Sequence, residues 1–85
     1  MYTEKVRVIN EMGIHAKTAS QIIKTSTKYR ADIFFEYGDK LINAKSIVGI
    51  LAAAISEGSE IIIRADGEDE MEAVKKIVAL IEEDR

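Results

Sequence analysis

The sequence predicts an α+β fold in which an antiparallel sheet is covered on one face by helices. Some short segments alternate apolar and polar residues, which is the pattern of half-buried strands. Other segments repeat apolar residues at i, i+3, i+4 and i+7, which is the pattern of amphipathic helices. Glycine marks the breaks, because the 85 residues contain no proline. The resulting order is strand, helix, strand, strand, helix, strand, helix, and it suits a two-layer fold.

The first strand is predicted over residues 2–9. Val6 and Val8 fall on one face of this strand, and Lys5 and Arg7 fall on the other. A helix is predicted over residues 16–27, because the period of the apolar positions changes there to the helical one. The buried stripe of this helix consists of Ala19, Ile22, Ile23 and Ser26.

Three further strands complete the predicted sheet. Asp32–Tyr37 and Lys40–Asn43 form a hairpin around the short turn Gly38-Asp39. The last strand is Glu60–Asp66, which is built on three consecutive isoleucines and is followed by a glycine. Strict alternation along these strands turns Phe34 and Ile62 away from the core.

The second and third helices are predicted from their starting residues. Ser46 is expected to cap a helix that begins at Ile47 and extends through Ala54, with more apolar residues than one buried face requires. Asp69 and Glu72 have the spacing of a capping box at the start of the last helix. The buried stripe of that helix consists of Val74, Ile77, Val78 and Ile81.

Composition predicts one small domain spanning residues 1–85. The chain is 47% hydrophobic and 32% charged, which is sufficient for a single core. It contains no cysteine, and this excludes disulfides and thiolate metal sites. The N-terminus lacks a basic segment followed by an apolar run, and no apolar stretch reaches the ~18 residues of a membrane span. We therefore expect a cytoplasmic protein with no membrane insertion.

The net charge of −3 is distributed unevenly along the chain. Residues 1–65 carry nine basic and seven acidic side chains, whereas residues 66–85 carry three basic and eight acidic ones. A nucleic-acid partner is disfavoured, because it would need a basic face interleaved with aromatic residues. The five aromatic residues are scattered instead.

The only histidine, His15, lies where the first strand pattern has ended and the first helix begins. Unpaired amides at a helix start stabilise an anion, and a phosphoryl group carried by His15 would be such an anion. A lone histidine is also often an ordinary surface or capping residue. No carboxylate pair, nucleophile triad, metal-ligand cluster or glycine-rich nucleotide loop accompanies it, so a self-contained enzyme is disfavoured and no metal or cofactor is expected.

Three segments, in register and spread along the whole chain, resemble the histidine-containing phosphocarrier proteins, called HPr, of bacterial phosphoenolpyruvate-dependent sugar uptake. They are Gly13-Ile14-His15-Ala16, Asn43-Ala44-Lys45-Ser46-Ile47-Val48-Gly49 and Ile63-Arg64-Ala65-Asp66-Gly67. The resemblance implies an open-faced β-sandwich of four antiparallel strands with three helices on one side. It also implies a carrier with a phosphohistidine intermediate rather than an enzyme.

The resemblance further implies a relay in which His15 takes a phosphoryl group from enzyme I and passes it to an enzyme II A component. The backbone amides of Ala16 and Lys17 would face the phosphoryl oxygens, and the Lys17 side chain would neutralise charge during transfer. The family usually has arginine at the position of Lys17 and proline at that of Thr18. Lysine lacks the bidentate geometry of arginine, so we expect slower transfer. The Thr18 hydroxyl is available to help cap the helix.

Ser46 has two compatible interpretations. A serine that precedes a helix is a favoured N-cap. In many relatives from low-GC Gram-positive bacteria, the equivalent serine is phosphorylated by a serine kinase/phosphorylase, which creates a docking site for a transcriptional regulator. The resemblance therefore leaves open an alternative function, in which a regulatory protein acts mainly through Ser46.

A partner-binding surface is predicted beside His15. Lys17, Lys24 and Lys28 project from one side of the first helix, which is either an ordinary solvated face or a basic ridge for an acidic partner. The residues expected to contact partners are Ser20, Lys24, Lys28, Ile47, Val48 and Leu51.

Two further possibilities concern the sheet face without helices. Phe34 and Ile62 would form an apolar patch for weak self-association, although we expect a monomer. An unrelated RNA-binding module would use sheet aromatics to stack on bases, and that signature is largely missing.

Overall fold

The computed structural model describes residues 1–84, and it confirms the predicted order of strands and helices. The elements are β1 (Tyr2–Arg7), α1 (Ala16–Ser26), β2 (Asp32–Tyr37), β3 (Lys40–Asn43), α2 (Ile47–Ala52), β4 (Glu60–Asp66) and α3 (Glu70–Glu83). The four strands form one antiparallel sheet in the order β1-β4-β2-β3. In the part of the chain that is described, no helix has both the length and the apolar character needed to cross a bilayer.

The alternation predicted for the strands decides which face of the sheet is buried. Ile63 pairs with Phe35 on β2, and Ile61 pairs with Val6 on β1, and all four side chains are at most 3% exposed. The helices bury their predicted stripes in the same core, except that Ile23 of α1 is only partly buried. The fully buried helix residues include Ala19, Ile22, Ile50, Ala73, Val74 and Ile77.

Two elements end earlier than the sequence predicts. β1 ends at Arg7 instead of residue 9, because the backbone of Val8 pairs with the loop at Gly58 and Ser59 rather than with β4. α1 ends at Ser26, one residue before its predicted end. The apolar pattern continues beyond the end of each element. It therefore predicts that a strand or helix is present more reliably than it predicts the last residue.

α2 is also shorter than predicted, so the prediction that it extends through Ala54 is wrong. The helix ends at Ala52, and Ala54 has a positive φ of 52°. This left-handed conformation commonly terminates a helix just beyond its C-cap, and glycine is the usual residue there because it has no Cβ. The residues around Ala54 are alanine and isoleucine, so no glycine marks the end of the helix in the sequence.

Substituting Ala54→Gly is therefore expected to stabilise the protein by about 0.5–1 kcal/mol, since an L-residue with a Cβ is strained in the left-handed region. Ala54 is exposed, so its methyl group contributes little to packing. Denaturant unfolding would measure the change. The matched control is Ala52→Gly within α2, which is expected to destabilise by about 0.5–1 kcal/mol. Equal destabilisation by both changes would contradict the argument.

The predicted capping box at the start of α3 is also wrong. Asp69 is the N-cap residue, but its side chain makes no capping hydrogen bond. Its two carboxylate oxygens accept hydrogen bonds from the backbone amides of Arg30 and Ala31, each at 2.9 Å. These amides hold the pKa of Asp69 below its usual value. Asp69 therefore joins the start of α3 to the segment between α1 and β2.

Candidate functional site

The segment that leads into α1 is held by the core. The Gly13 amide donates to the carbonyl of Asn10, and the Ile14 amide donates to the carbonyl of Ile55. The Asn10 side chain accepts a hydrogen bond from the Met12 amide at 2.8 Å. Ile14 is 5% exposed and packs in the core, so the residue that follows it has a defined position.

Gly13 is required by the close approach of two backbone segments. Its φ is +68°, and a Cβ at this position would lie 2.2 Å from the Ile55 carbonyl oxygen. No side chain fits at that distance, so only glycine allows the segment before α1 to lie against residue 55.

His15 is the N-cap residue of α1, in an extended conformation with φ −102° and ψ −175°. Its side chain makes no capping hydrogen bond and is partly exposed. The first helical bond joins the Ala19 amide to the His15 carbonyl. Within residues 1–84, the amides of Ala16, Lys17 and Thr18 donate to no backbone or side-chain acceptor. The structure thus places a partly exposed imidazole beside a turn of available N–H groups, which is an arrangement suited to holding an anion.

The depression around His15 contains charged groups of both signs. Lys17 lies in it with three acidic residues, Glu11, Glu57 and Asp84. Sequence reasoning identified His15 and Lys17 and missed the acidic groups. Glu11 is close in the chain, but Glu57 lies in the segment between α2 and β4 and Asp84 is the C-cap of α3, so neither carries a local signal.

Thr18 has a different role from the one that the sequence suggested. Its side chain is fully buried, and its hydroxyl donates to Oδ2 of Asp84 at 2.6 Å. The prediction that this hydroxyl helps to cap α1 is wrong, because the hydroxyl is engaged by a carboxylate that follows α3. The bond connects the end of α3 to the first turn of α1.

Ser46 caps α2, as the sequence predicts. Its Oγ accepts a hydrogen bond from the Gly49 amide at 3.1 Å, and its carbonyl accepts one from the Ile50 amide. Ser46 is partly exposed and lines a groove between α2 and β3 with Leu41. That groove does not include His15, so the structure separates the two candidate modification sites.

The residues predicted to contact partners are accessible in the structure. Ser20, Lys24 and Lys28 are exposed on α1. On α2, Val48 is 74% exposed, and Ile47 and Leu51 are each 41% exposed. Lys17, Lys24 and Lys28 line one depression together with Glu83 and Asp84 of the α3 end. The basic ridge therefore has an acidic neighbour, which the sequence did not reveal.

The uncovered face of the sheet is less apolar than alternation suggests. Phe34 and Ile62 point away from the helices but are only partly exposed. The Arg64 guanidinium lies over the Phe34 ring, 5.9 Å from its centroid, and pairs with Glu36 at 3.0 Å. A guanidinium that is paired with a carboxylate thus lies over the ring, which weakens the expectation of an apolar contact there.

Comparison with known proteins points to one family. The family model described as the PTS HPr component phosphorylation site matches residues 2–83. The HPr-like protein Crh of Bacillus subtilis is 37% identical over 84 residues, which is 99% of each chain. A crystal structure of HPr-C-His from Thermoanaerobacter tengcongensis is 38% identical, covering 96% of this chain and 92% of that one, with a TM-score of 0.92. A crystal structure of Crh, described as a dimer with a swapping domain, is 37% identical with a TM-score of 0.79, covering 99% of this chain and 97% of that one.

Proposed function

The chain belongs to the HPr family of the phosphotransferase system, whose members are phosphoryl carriers rather than catalysts. From this premise we propose that it accepts a phosphoryl group on His15 from enzyme I and passes it to an enzyme II A component. The observation that carries the proposal is the partly exposed imidazole of His15 at the start of α1, next to the available amides of Ala16 and Lys17. No other histidine is present in the sequence to take this role.

In the proposed transfer, a ring nitrogen of neutral His15 attacks the phosphorus with its lone pair. A phosphorus–nitrogen bond forms at His15 while the bond from phosphorus to the donor atom breaks, and the donor keeps the bonding electron pair. Transfer to the acceptor repeats these events with His15 as the leaving group. The Ala16 and Lys17 amides and the positive end of α1 stabilise the phosphoryl oxygens throughout.

Lys17 supplies the mobile positive charge of the proposed site. It is exposed and lies in the same depression as His15. An ammonium group neutralises the phosphoryl charge but does not match two oxygens as a guanidinium does, so the transfer is expected to be slower than with the usual family arginine.

A second function is favoured by the full-length similarity to Crh and by the accessible Ser46 cap. In this alternative, a serine kinase/phosphorylase modifies Ser46, and the modified protein binds a transcriptional regulator. A phosphate at the start of α2 would lie at the positive end of that helix, so the fold need not rearrange.

One experiment separates the two functions. The protein is incubated with phosphoenolpyruvate and a bacterial enzyme I in one reaction, and with ATP and a bacterial serine kinase/phosphorylase in another. Intact mass is then measured before and after mild acid. An adduct that acid removes indicates phosphohistidine and supports the carrier. An adduct formed only with ATP and stable to acid supports the regulatory alternative. If no adduct forms in either reaction, both proposed functions are contradicted.

The basic ridge of α1 provides a further prediction. A Lys24→Glu, Lys28→Glu double variant is expected to lower the rate of phosphoryl transfer from enzyme I about tenfold or more at low salt, because it reverses the charge that steers an acidic partner. The loss should shrink at high ionic strength. Initial rates at several salt concentrations would measure it.

The matched control for the ridge is a Lys5→Glu, Lys76→Glu double variant, which makes the same change in net charge on the exposed parts of β1 and α3. Its transfer rate should stay close to that of the unmodified protein. Equal losses in the two double variants would show that net charge, rather than the ridge, controls the encounter.

We further propose that the carrier works in the cytoplasm as a monomer. A monomer presents both His15 and the exposed apolar residues of α2 to each successive partner. The Crh dimer shows that a relative also associates, so the monomer rests on the sequence-based expectation and on the Arg64 guanidinium that lies over Phe34.

A further inference from the structure

The hydrogen bond between Thr18 and Asp84 fixes a carboxylate beside the proposed phosphoryl site. The Thr18 side chain is fully buried, and its hydroxyl donates to Oδ2 of Asp84 at 2.6 Å. This distance is typical of a hydrogen bond to an ionised acceptor. The two residues are separated by 66 positions in the chain. The Asp84 carboxylate is therefore held in its position only when the chain is folded.

Asp84 shares its surroundings with the groups that would hold the phosphoryl group. It lines the depression that contains His15 and Lys17, and it also lines the neighbouring depression with Lys17 and Lys24. A phosphoryl group on His15 would therefore share this depression with a carboxylate that the fold already holds in place.

We infer that Asp84 is a positioning residue of the proposed phosphoryl site: it anchors the first turn of α1 through Thr18, and its charge makes the phosphohistidine less stable and readier to pass on its phosphoryl group. The inference rests on the carrier function proposed for His15. In the free protein, Asp84 accepts the Thr18 hydrogen bond at the positive end of α1 and lines the same depressions as Lys17. When His15 carries the phosphoryl group, the negative charges of that group and of Asp84 repel each other. The single positive charge of Lys17 then interacts with both of them.

The test is the equilibrium between phosphoenolpyruvate plus free protein and pyruvate plus phosphoprotein, with a catalytic amount of bacterial enzyme I. Asp84→Asn keeps an oxygen that can accept the hydrogen bond from the Thr18 hydroxyl but removes the negative charge of the carboxylate. It is expected to shift the equilibrium constant toward phosphoprotein by about threefold to tenfold, and the shift should be largely lost in 1 M salt. Glu82→Gln removes the same charge from the exposed end of α3 and should leave the constant unchanged.

Two Thr18 variants test the anchoring step. Thr18→Val keeps the shape of the side chain and removes the hydroxyl, so Asp84 keeps its charge but is released. Its equilibrium constant is expected to move in the same direction as that of Asp84→Asn, by a smaller factor. Thr18→Ser retains the hydroxyl and should restore the value of the unmodified protein.

A second readout does not depend on enzyme I. His15 is phosphorylated chemically with phosphoramidate, and the phosphoryl ionisation is followed by ³¹P NMR. Without the Asp84 charge, the phosphoryl group of Asp84→Asn is expected to lose its last proton at a lower pH, and a merely structural role would not produce this change.

The outcomes distinguish the inference from the proposed function. If Asp84→Asn leaves both the equilibrium constant and the phosphoryl ionisation unchanged, the inference is overturned while His15 remains a carrier. If enzyme I fails to label the unmodified protein although phosphoramidate labels it, the carrier function fails, and the ³¹P measurement alone decides whether Asp84 acts on the site.

Discussion

Replacing His15 with alanine is expected to abolish phosphoryl acceptance from phosphoenolpyruvate and enzyme I while leaving the fold intact. The sequence contains no second histidine and no cysteine, so no other side chain offers an equivalent nucleophile. The loss should exceed about a thousandfold in rate, because the bond to phosphorus is made by the imidazole itself. The free energy of unfolding should change by no more than about 0.5 kcal/mol, since the ring is partly exposed and makes no capping hydrogen bond.

The measurement combines intact mass with acid treatment in three proteins. The unmodified chain and Ser46→Ala should both gain an acid-labile phosphoryl group, whereas His15→Ala should gain none. Ser46→Ala is the matched control, because Ser46 lies at the start of a helix but lines a different groove. Circular dichroism and denaturant unfolding would verify the fold of each variant. An acid-labile adduct that persists in His15→Ala would place the phosphoryl group elsewhere and contradict the proposed site.

Gly13→Ala is expected to destabilise the protein by about 3 kcal/mol or more, which corresponds to a fall in Tm of about 10 °C or more. Two costs add at this position. An L-residue at φ +68° is strained, and its Cβ would overlap the Ile55 carbonyl oxygen, which is backbone and cannot rotate away. The loop must move, and the hydrogen bond from the Ile14 amide to the same carbonyl would be lost.

Gly38→Ala separates these two costs. Gly38 has a similar φ of +63°, but nothing lies within 4 Å of the position of its missing Cβ. Only the conformational strain applies, so the expected loss is about 1 kcal/mol. Thermal unfolding of the two variants would measure the difference. Equal losses of stability in the two variants would mean that the overlap with the Ile55 carbonyl adds nothing to the cost of Gly13→Ala.

Gly13→Ala should also affect the proposed site. His15 follows Gly13 by two residues and is positioned by the same loop, so displacement of this loop moves the imidazole away from the first turn of α1. Phosphoryl acceptance of the folded fraction is therefore expected to fall as well, whereas Gly38→Ala should retain it.

Much of the fold was predictable because the relevant signals are local. The alternation around Val6 and Val8 and the helical spacing from Val74 to Ile81 each depend on neighbouring residues along the chain, and the structure confirms both. The cap at Ser46 depends on a side chain and an amide three residues apart. The start of α1 at Ala16, directly after His15, was predictable for the same reason, because the change to helical period is also a local signal.

Other features depend on parts of the chain that meet only when it folds. Asp69 has the spacing of a capping box, but it binds the amides of Arg30 and Ala31, because packing brings that segment within reach of its carboxylate. Ala54 adopts a left-handed conformation that its residue type does not favour, and this conformation ends α2 where the sequence carries no glycine.

The sequence by itself determined the order of the elements, the buried faces and the position of the lone imidazole at a helix start. Only the tertiary structure placed Asp84 against Thr18 and the acidic end of α3 beside the lysines of α1. The physical reason is the range of the interactions. Backbone period and capping are decided within a few residues, whereas much of the charge around the site comes from groups distant in the chain that meet when the sheet and helices pack.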